Sequence, residues 1–200
     1  MPCRIRYILY SRMANDPWPT IMVRSNPQVT LRPQDLVVLL RLSLENEPLP
    51  SYAGLSAELS LTASEIHAAV ERAVTAQLSR KDERGKPRVI RESLRLFVQH
   101  GARYCFPATR GELTRGMPTS YAAPPLKDKI VQSSEPVPVW PAKNGSVRGM
   151  AFIPLYPTVP EAAGRNPALY ELLVLVDAIR GGSPRERALA IKMLDARWTD

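Results

Sequence analysis

The chain has 200 residues, 44% of them apolar, enough for one ordinary domain with a real core or for a small domain with an appendage, and too many for disorder throughout. Its 27 Lys plus Arg outnumber 19 Asp plus Glu, and the resulting charge of +8 favours a polyanionic partner through counterion release. Cys3 and Cys105 have neither metal-ligand spacing nor the density of a secreted disulfide scaffold, no apolar run reaches the roughly 20 residues that span a bilayer, and no signal-peptide core opens the chain, so the expectation is a reduced, cytoplasmic protein with no membrane partner.

Residues 1–29 scatter Pro2, Pro17, Pro19 and Pro27 among apolar and basic residues without a sustained period, which predicts a loosely held arm; Met22 is a second candidate start. From Leu31 the pattern changes. Thr30 can cap a helix, Pro33 suits its first turn, and Leu36, Leu39, Leu40 and Leu44 share one face, as in a core helix. Pro48 and Pro50 end it, and Ser51 can cap the next. Residues 51–60 and 62–78 then read as a short and a longer helix joined at Leu61-Thr62, with Thr62 and Glu65 spaced as a capping box.

Arg80 to Arg88 is polar, charged and broken by Gly85 and Pro87. Helical periodicity returns from Ile90 to His100 through Leu94, Phe97 and Val98, and Gly101 reads as its stop. Arg103-Tyr-Cys-Phe106 is an aromatic strand candidate, in which Cys105 reads as a small buried apolar residue, and the Gly- and Pro-rich residues after it suit a wing. Residues 126–148 read as a Pro-rich linker that Trp140 can anchor to a neighbouring surface. Gly149 to Tyr156 is a second strand, placed at an edge by Pro154. Two helices close the chain, one capped by Asn166 with a stripe of Leu169, Leu172, Leu173 and Val176, the other opened by Ser183-Pro184 with Ala188, Ile191 and Leu194 on its face. These stripes fit a second small core or a dimer or partner surface equally well. There is no internal repeat.

A helix-turn-helix needs a short helix to brace a second one across a tight turn, and Leu55, Leu59, Leu61, Ile66 and Val70 recur where two such helices would cross. An ordinary helical hairpin in an all-α core gives the same spacing. The stretch 51–72 resembles the helix-turn-helix of bacterial winged-helix transcriptional regulators, the MarR-like group in general layout, with the likeness extending over residues 31 to about 125. Two departures stand out: Ser56 and Ser60 occupy positions where such families favour a small apolar residue and a turn glycine, and an extra helix at 90–100 separates recognition helix from wing. The C-terminal third matches no MarR-like element.

The resemblance implies a winged helix-turn-helix at 30–125; followed by the strand and two-helix region read at 149–200, it makes the expected fold α+β, mainly helical with short strands. It implies that the 62–78 helix enters the major groove of double-stranded DNA and presents Ala63, Ser64, His67, Ala68, Glu71 and Arg72. Ser64 and His67 can hydrogen-bond base edges, Ala63 or Ala68 can meet a thymine methyl, and Arg72 can reach a phosphate or a guanine. Glu65 and Glu71 are awkward beside a phosphate backbone. Arg80, Lys81, Arg84, Lys86, Arg88, Arg91, Arg95, Arg103, Arg110 and Arg115 outnumber Asp82, Glu83, Glu92 and Glu112 in the adjoining stretch, so that surface should be positive, although a merely solvated face carries the same run. If on the order of 5 cations touch phosphate, the log-log salt slope is about −4 to −5.

His67 and His100 lie on different elements without Cys, Asp or Glu at ligand spacing, so no metal site or cofactor is expected. The glycines of 110–116 and 145–149 are too sparse for a phosphate-cradling loop and read as turns, and no nucleophile elbow or paired carboxylates mark an enzyme. The expectation is a sequence-specific DNA-binding repressor acting as a homodimer. An antitoxin-like or adaptor protein that binds a protein partner through its C-terminal region is the alternative, and structured RNA binding through the same basic face is a third.

Overall fold

The computed structural model describes residues 30–44, 50–130 and 136–198. The expected N-terminal arm at 1–29, Cys3, Met22 and Pro48 lie outside them. The fold is mixed α and β, as the composition of elements in the sequence implied, with helices supplying most of the core.

Helix α1 (Pro33–Ser43) begins with Pro33 in its first turn, but its cap is Arg32, whose backbone N–H donates to Asp35 at 2.8 Å, and not Thr30. It is buried from Asp35 to Ser43 on every side, because α3 covers one face and α7 another. Helix α2 (Tyr52–Leu59) is capped by Ser51, and α3 (Ala63–Thr75) by Thr62, with the capping box to Glu65 complete. The third helix stops three residues before its expected end: Gln77 turns left-handed at φ 58, and Leu78 N–H closes on Ala73 O at 3.0 Å.

A hairpin follows at once. Strands β1 (Ser79–Lys81) and β2 (Pro87–Val89) pair antiparallel, with Arg80 opposite Arg88, in the stretch whose sequence read only as polar, charged and broken by Gly85 and Pro87. Helix α4 (Arg91–Leu96) then runs through a π turn (Phe97–Gly101) into α5 (Ala102–Cys105). The aromatic strand expected at 103–106 is therefore helical, because Leu94, Val98, Ala102 and Phe106 keep one buried stripe at a spacing of four straight through Gly101. Gly101 is not a stop: a Cβ there would lie 2.9 Å from the Phe97 ring, so its bareness makes room for that side chain. Cys105, expected to be buried, is exposed at the helix end.

The segments expected as wing loop, linker and edge strand instead build one small sheet. Strand β3 (Arg110–Pro118) pairs antiparallel with β4 (Pro138–Pro141) and with β5 (Val147–Phe152), and β4 pairs parallel with β5, closing the three strands on themselves. Such a narrow closure brings backbones together. A Cβ on Gly116 or on Gly149 would lie 2.0 Å from a carbonyl oxygen, of Trp140 and Val137 respectively, so these glycines are steric requirements of the closure.

Helix α6 (Val159–Arg165), unforeseen in the sequence, leads to α7 (Pro167–Gly181) and α8 (Pro184–Trp198). Asn166 caps α7 as expected, accepting from Leu169 N–H at 2.9 Å. Leu172 to Arg180 are all buried, so the stripe of α7 is consumed by the chain's own core, which runs without a break from Leu36 and Leu40 through Ile66, Leu94, Trp140 and Phe152 to Leu173 and Leu194. Asp177 fastens this helix to the sheet: Trp140 Nε1 (2.6 Å) and Thr119 Oγ1 (2.9 Å) donate to one carboxylate oxygen and Arg180 (2.7 Å) to the other, while Arg180 also donates to Phe106 O at 2.7 Å. The anchoring expected of Trp140 is thus present, but from within a strand rather than a linker.

Candidate nucleic-acid interface

The α2–α3 turn sets the site. Ser60, between the helices, adopts the left-handed conformation at φ 52 and ψ 43 that glycine takes most readily, so a serine stands where the turn favours a residue without Cβ. The C-terminal region holds it there. Arg165 donates to Ala57 O (3.1 Å), Glu58 O (3.0 Å) and Ser60 Oγ (2.6 Å), and Thr158 Oγ1 donates to Leu59 O (2.8 Å), satisfying carbonyls that the end of α2 leaves without helical partners. Asn166 reaches Glu58 at 2.7 Å, and Arg41 holds the same carboxylate from α1 at 2.7 Å. Burial raises the Glu58 pKa, but the Arg41 and Asn166 hydrogen bonds outweigh it and keep the group below its ordinary range. Nothing local in the sequence links 158–166 to 57–60, and none of these contacts was foreseen.

Of the expected contact residues on α3, Ala63, Ser64 and His67 are exposed and Ala68 is half-buried. Arg72 is not available. Its guanidinium forms a two-pronged pair with the fully buried Asp35 at 2.7 and 2.6 Å, so it braces α3 on α1 instead of reaching a base or a phosphate. The two acids that looked unfavourable for DNA are occupied as well. Glu65 accepts the Thr62 N–H and hydroxyl, both at 2.8 Å, which lowers its pKa. Glu71 meets Lys81 at 2.5 Å and His67 at 3.7 Å, and the Lys81 hydrogen bond holds its carboxyl low. Lys81, expected on phosphate, therefore ties the hairpin to α3.

Asp82 builds the hairpin tip. Its Oδ1 accepts Arg84 N–H at 2.9 Å and Lys86 N–H at 2.8 Å, its Oδ2 accepts Arg88 Nε at 3.2 Å, and its own N–H donates to Lys86 O at 2.9 Å. The backbone donors, Lys86 first, hold its carboxyl below the usual range. Gly85, at φ 73, supplies the one conformation in this turn that a side chain resists. Arg88 is bound by Asp82, whereas the exposed Arg80, Arg84 and Lys86 form no ion pair among the described residues.

Ala63, Ser64 and His67 on α3 are thus exposed, as are Arg80, Arg84 and Lys86 on the hairpin that follows it. Arg110 and Arg115 stand elsewhere, on β3. Arg110 is engaged internally, donating to Gly181 O at 3.0 Å with its guanidinium 5.8 Å from the centre of the Phe152 ring. Among the described residues no three His, Cys, Asp or Glu side chains converge as a metal site requires, and no helix is long and apolar enough to cross a membrane. No protein-family model, characterised protein or solved structure matches the chain.

Proposed function

We propose that α1 to α3 and the β1–β2 hairpin form a winged helix-turn-helix that binds double-stranded DNA, with α3 in the major groove and the hairpin as the wing on flanking phosphate. The observation that carries this reading is the direct succession of an α3 face presenting Ser64 and His67, its acids occupied, and a hairpin whose Arg80, Arg84 and Lys86 have no carboxylate partner among the described residues. A hairpin immediately after α3 also removes one departure from the MarR-like layout, since the helix at 91–105 follows the wing instead of preceding it.

On this reading the chain is a sequence-specific repressor. As a homodimer it would present two α3 helices to successive major grooves about 34 Å apart, and its operator would be an inverted repeat. Titration on its own upstream promoter, with and without nonspecific competitor, tests it. Ser64→Ala and His67→Ala should weaken promoter binding about tenfold while leaving nonspecific binding unchanged, as removal of base-edge hydrogen bonds does. Arg84→Gln with Lys86→Gln should weaken binding to all duplexes and flatten the log-log salt slope by about 0.9 for each phosphate no longer neutralised. Wild-type affinity in both sets would overturn the reading.

A further inference from the structure

Arg41, Arg72, Arg88, Arg95, Arg165, Arg180 and Arg197 each meet a carboxylate. A group of cations distinct from those of the hairpin lies on the three-stranded sheet. Arg115 on β3 and Arg148 on β5 are direct cross-strand partners, both exposed, and neither has an ion-pair partner among the described residues. The exposed Lys143 joins them, because the turn that carries it folds back on β3, with Ala142 N–H donating to Arg115 O at 3.3 Å and Gly145 N–H to Ala142 O at 3.0 Å.

Like charges placed directly opposite on one face of an antiparallel pair repel and weaken the sheet. A sheet so constrained that Gly116 and Gly149 tolerate no Cβ has a fixed register, so the two guanidiniums cannot escape by slipping. An anion between them turns the repulsion into a binding site. Guanidinium is the side-chain group whose planar fork best fits phosphate oxygens, and a pair of forks with a flanking ammonium suits a run of phosphates rather than a single buried ligand.

The geometry points to Arg115, Arg148 and Lys143 as a second phosphate-backbone surface, separate from α3 and its hairpin, that grips duplex DNA beyond the segment read by α3. This inference rests on the DNA-binding reading above for the identity of the polyanion. It draws on Lys143 and Arg148, which the sequence did not single out, and moves Arg115 from a wing to this sheet.

The test compares three forms of the full chain by anisotropy on a long duplex across a salt series: Arg115→Gln with Arg148→Gln, Arg84→Gln with Lys86→Gln, and all four changes together. The sheet pair should lower affinity about tenfold at moderate salt, flatten the log-log slope by about 2, and add to the hairpin pair. Its thermal midpoint should equal or exceed that of the wild type, which separates a weakened grip on phosphate from a weakened fold. An unchanged slope for the sheet pair alone overturns this inference and leaves the winged-helix reading standing. An unchanged slope for the hairpin pair alone takes the hairpin off the phosphate backbone and leaves this inference standing. Displacement of duplex by polyglutamate through the sheet cations, at lower charge concentration than by competitor DNA, would identify an acidic protein as the occupant and overturn the assignment to DNA.

Discussion

Asp35 is buried on α1, and the Arg72 side chain that reaches it from α3 is only 16% exposed. Removing one member of such a pair strands a charge in the core, at about 3–5 kcal/mol, whereas replacing both by apolar groups is often neutral. Arg72→Ala should therefore lower folding stability by about 3 kcal/mol in urea denaturation, and Asp35→Leu with Arg72→Leu should recover most of it. If Arg72→Ala leaves stability intact and weakens only DNA binding, the pair is not the brace described above. Asp82 allows a test in which two effects oppose each other. On the DNA-binding reading, simple electrostatics predicts that Asp82→Ala, by removing an acid from a basic tip, tightens the grip on a duplex. The turn predicts weaker binding, because two backbone donors and Arg88 lose their acceptor. We expect weaker binding by anisotropy, with faster amide exchange at 82–86. The capping box of Thr62 and Glu65 was legible because its residues are three apart and act through the local backbone. The Arg72–Asp35 pair joins residues 37 positions apart, and the local pattern of α3 shows only an outward arginine.

Among elements, the helices that were legible, α1, α2, α3, α4, α7 and α8, have a cap residue, a proline in the first turn or an apolar stripe of period 3.6. The β1–β2 hairpin escaped because its strands have three residues each and carry charge at Arg80, Lys81 and Arg88, so no alternation could develop. Strand β4 escaped because Pro138 and Pro141 bound it, and a strand of four residues with proline at each end looks like linker. The α2–α3 turn was expected at the right place, yet what holds it comes from residues about a hundred positions away. Arg165→Ala removes donors from two carbonyls and from Ser60 Oγ, so the turn should loosen. Hydrogen exchange should show faster opening at 57–62 while α7 stays protected, and promoter affinity should fall with the mobility of α3. Equal exchange at 57–62 in variant and wild type would show that α6 does not position the turn.

At the scale of the whole molecule, the carboxylates respond together to acid. Glu58, Glu65, Glu71 and Glu92 all lie below their ordinary value of 4.5 in the folded chain, and Asp82 below 3.8. A depressed folded pKa contributes stability above the unfolded value and loses it as pH falls through the folded one, so the urea midpoint should decline below about pH 4.5. Burial pushes the Asp177 carboxyl the other way, opposed by Arg180 and by the Trp140 and Thr119 donors, so it softens the decline. A flat midpoint between about pH 6 and pH 3 would contradict this balance. The continuity of the core has a larger consequence. Local patterning suggested a DNA-binding unit ending near residue 125, because an apolar stripe records that a face is buried and not what buries it. In the folded chain, α7 lies against α1 and α5, and α8 packs on α4, where Arg95 and Gln99 both reach Asp195. A fragment of residues 30–125 would expose the faces of α1 and α4 that these helices cover and would lack the residues that secure the α2–α3 turn. Its apolar burial would fall while the entropy cost per ordered residue stayed the same. The fragment should therefore show no cooperative thermal transition by circular dichroism and no duplex binding, whereas residues 30–198 should retain both. A cooperative melt of 30–125 near the midpoint of the longer chain would mean that the first three helices and their hairpin close a core of their own, and that the C-terminal helices only rest against it.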